Sequence, residues 1–167
     1  MSVVACKITE NGYEIAADSI TVRGYTQTKG QTTRHSKLFE INDMVVGSTG
    51  YAEEVSLFRL FVSTRKPSNP DEYSMLELLS DFSDWKSKKA NDGDISNSYI
   101  IGFAGKVFAI NHWLIEEVVK YEAIGAGEDF ALAALHLGFS ANEAVETAIE
   151  LSVFCEGPVQ LITKTNG

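Results

Sequence analysis

The sequence predicts an α+β fold in which two helical layers cover a pair of antiparallel sheets. Three pairs of apolar runs are each joined by a short turn of the kind that closes a hairpin. Helical segments arrive in pairs between the strand groups, which fits covered sheets better than alternating βαβ units. At 167 residues the chain favours one domain, spanning residues 1–167, and a chain of this size buries roughly 70% of its unfolded surface.

The first pair of runs, residues 3–8 and 13–17, flanks Asn11-Gly12, a dipeptide that tolerates the positive φ angles of a tight hairpin. A second pair, 37–41 and 44–48, is joined by Asn42-Asp43, and a third, 99–104 and 107–110, turns at Gly105-Lys106. Between the second and third pairs, residues 51–64 and 73–89 read as helices. Val55, Phe58 and Val62 follow helical spacing, and Pro67 and Pro70 mark the intervening loop, residues 66–71. Residues 130–137 form a shorter helix and 159–163 a closing strand. The clearest helix is 141–151: Ser140 precedes Glu143 in a capping-box arrangement, and Ala141, Ala144, Val145, Ala148 and Ile149 recur on one face.

Composition narrows the function. With 14 Lys+Arg against 23 Asp+Glu the net charge is −9, which removes the electrostatic drive for nucleic-acid binding. No stretch approaches the ~20 apolar residues of a membrane span, and the N-terminus lacks the basic region and apolar run of a signal peptide. The expectation is a soluble cytoplasmic protein with neither nucleic acid nor membrane as partner. Cys6 and Cys155 have no CxxC companion, so they read as buried, apolar-like thiols.

Several local patterns fall short of a site. Gly125-Ala126-Gly127 lies between a strand-like segment and a helix, but Phe130 occupies the third glycine position and Glu128-Asp129 would repel phosphate, leaving a tight turn with acidic residues at a helix start. Asp92, Asp94 and Ser96 alternate like a calcium loop without its later glycine and glutamate, and read as a polar turn. His35, His112 and His136 show no metal-ligand spacing. Gly47-Ser48-Thr49-Gly50 is one residue too short for a nucleophile elbow. Ser2 follows Met1, and a small second residue permits removal of the initiator Met. A terminal Ser then carries a hydroxyl beside an α-amino group with a pKa of ~8, so one residue supplies nucleophile and base.

Ile15-Ala16-Ala17-Asp18-Ser19, Lys37-Leu38-Phe39-Glu40-Ile41-Asn42, Val45-Val46-Gly47-Ser48-Thr49-Gly50 and Ile124-Gly125-Ala126-Gly127-Glu128-Asp129-Phe130-Ala131 occur in that order. With the capped helix 141–151 they make the whole chain resemble the proteasome β-subunit family and its bacterial relatives, including HslV. The resemblance implies the four-layer αββα sandwich of N-terminal nucleophile (Ntn) hydrolases. It implies peptide-bond hydrolysis with Ser2 as nucleophile, Asp18 and Lys37 tuning the terminal amine, and Gly50 N–H facing the oxyanion. A lysine ammonium near that amine would keep it neutral, and a preset oxyanion donor is worth about 3 kcal/mol in a comparable site. No metal or organic cofactor is required. The implied partners are a peptide or unfolded protein substrate, further copies in a homo-oligomeric ring, and a separate ATPase unfoldase.

The sequence departs from that family's pattern. Ser replaces the usual Thr nucleophile, Ala126 replaces a supporting hydroxyl, and Ser152 and Cys155 stand where an Asp and a Ser usually steady the terminal amine. Residues 20–36 form a longer segment than is usual, and retention of Met1 would block the nucleophile. Two alternatives therefore stay open: an inactive ring scaffold of the same fold, and an amidase acting on a small molecule.

Overall fold

The computed structural model describes residues 1–28 and 35–166. The elements run β1 (Val4–Thr9), β2 (Gly12–Ala17), β3 (Thr21–Arg23), β4 (Thr26–Thr28), β5 (Leu38–Ile41), β6 (Met44–Thr49), α1 (Ala52–Val62), α2 (Glu72–Ala90), β7 (Ser98–Phe103), β8 (Lys106–Asn111), β9 (Leu114–Val118), β10 (Tyr121–Ile124), α3 (Glu128–His136), α4 (Ala141–Leu151) and β11 (Gln160–Thr165). One sheet has the strand order β10-β1-β2-β11 and the other β5-β6-β7-β8-β9, all antiparallel, while β3 and β4 form a separate ribbon.

Alternation along the strands builds three apolar layers. Val4, Cys6, Ile15 and Ile124 of the first sheet pack on Leu38, Val45, Ile100 and Val107 of the second. The opposite face of the second sheet, with Val46, Tyr99, Ile101 and Phe108, meets Phe58 and Phe61 of α1 and Met75, Leu79 and Phe82 of α2. On the first sheet, Ala5, Ala16 and Ala123 meet Ala131 and Leu135 of α3 and Ala144, Val145 and Ala148 of α4. Small residues on both sides let those helices lie close to the sheet, whereas the aromatic layer separates α1 and α2 more widely from theirs. The order of layers is helix, sheet, sheet, helix. Among the described residues, no helix is long and apolar enough to cross a membrane.

Two turns fall one residue earlier than the dipeptides suggest. Thr9 pairs with Gly12, so Glu10 and Asn11 make the first turn, and Phe103 pairs with Lys106, so Ala104 and Gly105 make the third. Asn42 and Asp43 do form the second, with φ angles of 49° and 66°. Gly12 serves as a strand residue because a Cβ there would run into the Lys164 carbonyl of β11. β3, β4 and β9 are additional to the elements expected from the sequence. β9, in which Ile115 and Val118 are half-buried and the other three residues exposed, is a short edge strand carrying Glu116 and Glu117, the composition that keeps an edge from recruiting other strands. Ser140 Oγ accepts Glu143 N–H at 3.1 Å, as the capping pattern requires.

Candidate active site

Strand register sets the first part of the site. Val4 pairs with Ala17, which places Asp18 opposite Val3, the residue after Ser2. Asp18 N–H donates to the Val3 carbonyl at 3.2 Å, and Val3 N–H donates back to Asp18 Oδ1 at 3.0 Å. Asp18 is fully buried, and Glu156 N–H donates to its other oxygen at 3.1 Å. A buried carboxylate needs donors on both oxygens, and here they come from three separate segments.

The third donor segment belongs to the second sheet. Leu38 pairs with Gly47, and Ser48 N–H donates to the Lys37 carbonyl at 2.9 Å, so Lys37 enters the core at the start of β5. Its Nζ donates to Asp18 Oδ1 at 3.1 Å. Burial pulls the Lys37 ammonium below the ordinary lysine range, and the Asp18 charge and hydrogen bond oppose that pull.

Ser2, Lys37 and Gly50 line one cavity of about 520 Å³, with Ile20, His35 and Tyr51 among its other walls. Met1 also lines it, and Ser2 Oγ donates to the Met1 carbonyl. Ser2 is nearly buried, and the Gly125-Ala126-Gly127 turn wraps its backbone: Gly127 N–H donates to the Ser2 carbonyl at 3.1 Å. Gly125 has φ +101°, and a Cβ there would strike that same carbonyl. The turn that resembles a weak phosphate loop thus seats the N-terminal strand.

Gly50 lies between β6 and α1 with φ +123°, a conformation that L side chains rarely adopt. Asn97 and Glu54, which no sequence pattern marks, sit behind it. Asn97 holds both backbone groups of Tyr51, and Glu54 holds the backbone of Ser96 and Asn97. Only the burial of a carboxylate in the first turn of α1 marks the pair, and burial is not visible in sequence.

Among the remaining candidates, Cys155 and His35 border the site. Cys155 is buried, its thiol pushed up by burial and then by the Asp18 charge, and its Sγ would be 2.6 Å from a Cβ at Gly127. Ser152 follows α4, its Oγ accepting Phe154 N–H at 3.2 Å. His35 is at the cavity, its imidazole pulled down by burial and then by the Lys37 and Arg59 charges. His112 lies after β8 and His136 ends α3. Asp92 pairs with Lys86 at 3.2 Å and accepts Asp94 N–H at 2.9 Å, a polar turn. Residues 29–34 of the long segment 20–36 lie outside the described residues.

No protein-family model and no curated protein matches the chain. Solved structures do. Thiobacillus denitrificans BPH matches with a TM-score of 0.83 at 21% identity, covering 98% of this chain and 97% of that one. The chain has the fold of BPH. A second structure of that protein, in complex with epoxomicin, also gives 0.83, at 20% identity over 98% of each chain. HslV from Trypanosoma brucei gives 0.73 at 19% identity, covering 98% of this chain and 99% of that one. The likeness to BPH and HslV extends over nearly the full chain, so the helix, sheet, sheet, helix layering belongs to one shared architecture.

Proposed function

We propose that the chain is a proteasome-like peptidase, an Ntn hydrolase of four αββα layers in one domain, residues 1–167, that acts after removal of Met1. The observation that carries this is the convergence of Ser2, Lys37 and Gly50 on one cavity, with Lys37 bonded to the buried Asp18. The HslV-like fold supports it.

In this reading, loss of Met1 frees the Ser2 α-amine, which in the unprocessed chain is tied up in a peptide bond. The amine takes the Ser2 hydroxyl proton as Oγ attacks the substrate carbonyl, and Gly50 N–H receives the oxyanion. Collapse breaks the C–N bond, and the Ser2 ammonium passes its proton to the departing amine, leaving an ester on Oγ. Water, deprotonated by the same amine, attacks the ester and restores Ser2. Lys37 holds positive charge near the amine and so favours its neutral form, while Asp18 fixes Lys37 and, through Val3 N–H, the strand that carries Ser2.

Peptides or unfolded protein are the substrates, confined within a cytoplasmic homo-oligomeric ring fed by a separate ATPase unfoldase. An inactive scaffold of the same fold is the second reading, favoured by Cys155 beside the site. Intact mass before and after incubation with a β-lactone separates them, with epoxomicin, the ligand of the BPH neighbour, as a second probe. Loss of Met1 and a single adduct that Ser2→Ala abolishes is the expected result. Retained Met1 without an adduct overturns the peptidase, and a monomer in light scattering overturns the ring.

A further inference from the structure

The backbone beside the oxyanion position is held by a side chain that the chemistry above does not use. Asn97 is fully buried; its Oδ1 accepts Tyr51 N–H at 2.7 Å and its Nδ2 donates to the Tyr51 carbonyl at 2.9 Å. A primary amide offers a donor and an acceptor side by side, so Asn97 pairs with Tyr51 as an adjoining strand would. The fit extends to Gly50, where a Cβ would run into the Asn97 amide.

Asn97 is itself held by Glu54, a carboxylate only 4% exposed. Glu54 Oε2 accepts Ser96 N–H at 2.9 Å, and Oε1 accepts Asn97 N–H at 3.1 Å and the Tyr99 hydroxyl at 2.8 Å. Glu54 occupies the third position of α1, from which a capping-box glutamate turns back on its own N-cap. Here it reaches across to the segment before β7 instead. Tyr51, the N-cap, makes no side-chain cap bond, so Asn97 and the helix start secure each other. The clamp lies directly against the cavity wall formed by Gly50 and Tyr51.

Resting on the peptidase reading, we infer that Asn97 and Glu54 are positioning residues that aim the Gly50 N–H at the substrate carbonyl oxygen. Asn97 fixes both peptides that flank Tyr51 and packs against the Gly50 Cα next to the N–H, Glu54 fixes Asn97, and neither touches a reacting atom. A donor stabilises a developing oxyanion only if it is already oriented when charge appears, and small misplacements of such groups cost about 10²-fold in rate.

The test uses Met1-free full-length protein, a fluorogenic peptide, a β-lactone and amide hydrogen exchange. Asn97→Ala is expected to lower kcat roughly 10²-fold with KM nearly unchanged, and to strip protection from the Tyr51 amide while β6 and β7 stay protected. Asn97→Asp keeps the acceptor for Tyr51 N–H but sets a buried carboxylate against the Tyr51 carbonyl, so it is expected to lose kcat as Asn97→Ala does. Glu54→Gln must turn an NH₂ towards a backbone N–H of Ser96 or Asn97, and lowers kcat without changing KM. Leu79→Ala, which leaves a cavity in the α2 core, loses stability and keeps wild-type kcat. The inference is overturned if Asn97→Ala loses no more activity than Leu79→Ala, or if Tyr51 remains protected without the Asn97 amide. A wild type that forms no lactone adduct overturns the peptidase and the clamp's catalytic sense together; a labelled wild type with an unaffected Asn97→Ala overturns the clamp alone.

Discussion

Asp18 Oδ1 accepts two donors at once, Val3 N–H at 3.0 Å and Lys37 Nζ at 3.1 Å. The strand that carries Ser2 and the lysine of the facing sheet therefore share one oxygen, and Glu156 N–H occupies the other. Asp18→Asn must present its NH₂ to at least one of these donors. Leaving a buried donor unsatisfied costs about 1–3 kcal/mol, so the variant is expected to lose that much stability in denaturant unfolding and to acylate more slowly with β-lactone. An equally stable, fully reactive Asp18→Asn would show that the shared oxygen has no such role.

The depressed ionisation of Lys37 has a definite pH signature. Because its folded value lies below the ordinary 10.5, the unfolded chain binds more protons in the interval between them, and stability rises with pH there. The Lys37 contribution is fully present above 10.5 and is lost as pH falls through the lowered folded value. Comparing wild type with Lys37→Met by denaturant unfolding across alkaline pH cancels the other titrating groups. The stability difference is expected to move in favour of wild type as pH rises; a flat difference would place Lys37 in an unperturbed environment.

Gly50→Ala combines a positive φ with a side-chain collision. The new Cβ would displace the Asn97 amide, which holds both backbone groups of Tyr51. An L residue forced into such a conformation costs about 1–3 kcal/mol, so a lower melting temperature is expected, with lactone labelling falling further than in core variants of equal stability. Gly125→Ala, whose Cβ would strike the Ser2 carbonyl, is expected to disturb the N-terminal strand instead, and amide exchange at Val3 and Val4 distinguishes the two.

The two thiols respond to alkaline pH in the opposite sense to Lys37. Burial pushes the Cys6 thiol far up, and Cys155 shifts the same way. Their contribution is whole below the unfolded cysteine value of ~8.5 and declines as pH rises above it, because the unfolded chain then releases protons that the folded chain keeps. Timed alkylation followed by mass spectrometry should find Cys6 modified no faster than the chain unfolds. Rapid native-state labelling of Cys6 would contradict its complete burial.

Features encoded within a few residues are legible in the sequence itself. The hairpins follow from apolar runs around turn-forming residues, and α4 from Ser140, Glu143 and a five-residue apolar face, since caps and periodicity act over one or two helical turns. Turn placement differs by one residue at Gly12 and at Lys106 because strand pairing and the approach of β11 decide which residue turns. β9 leaves little trace in the sequence because its alternation is weak and polar. Ser2 stands out as a small residue after Met1, whereas Asp18, Lys37 and Gly50 can be singled out only through a resemblance; what brings Ser2, Lys37 and Gly50 to one cavity is the packing of β1 and β2 against β5 and β6. Asp18 and Lys37 are 19 residues apart, Tyr51 and Asn97 are 46 apart, and Asp18 and Glu156 are 138 apart. Glu54 reads in sequence as one more acidic residue of a helix start; the backbone N–H groups of another segment turn it into a buried anchor. Local chemistry selects the elements, whereas burial and the pairing of distant polar groups exist only once the sheets close on each other.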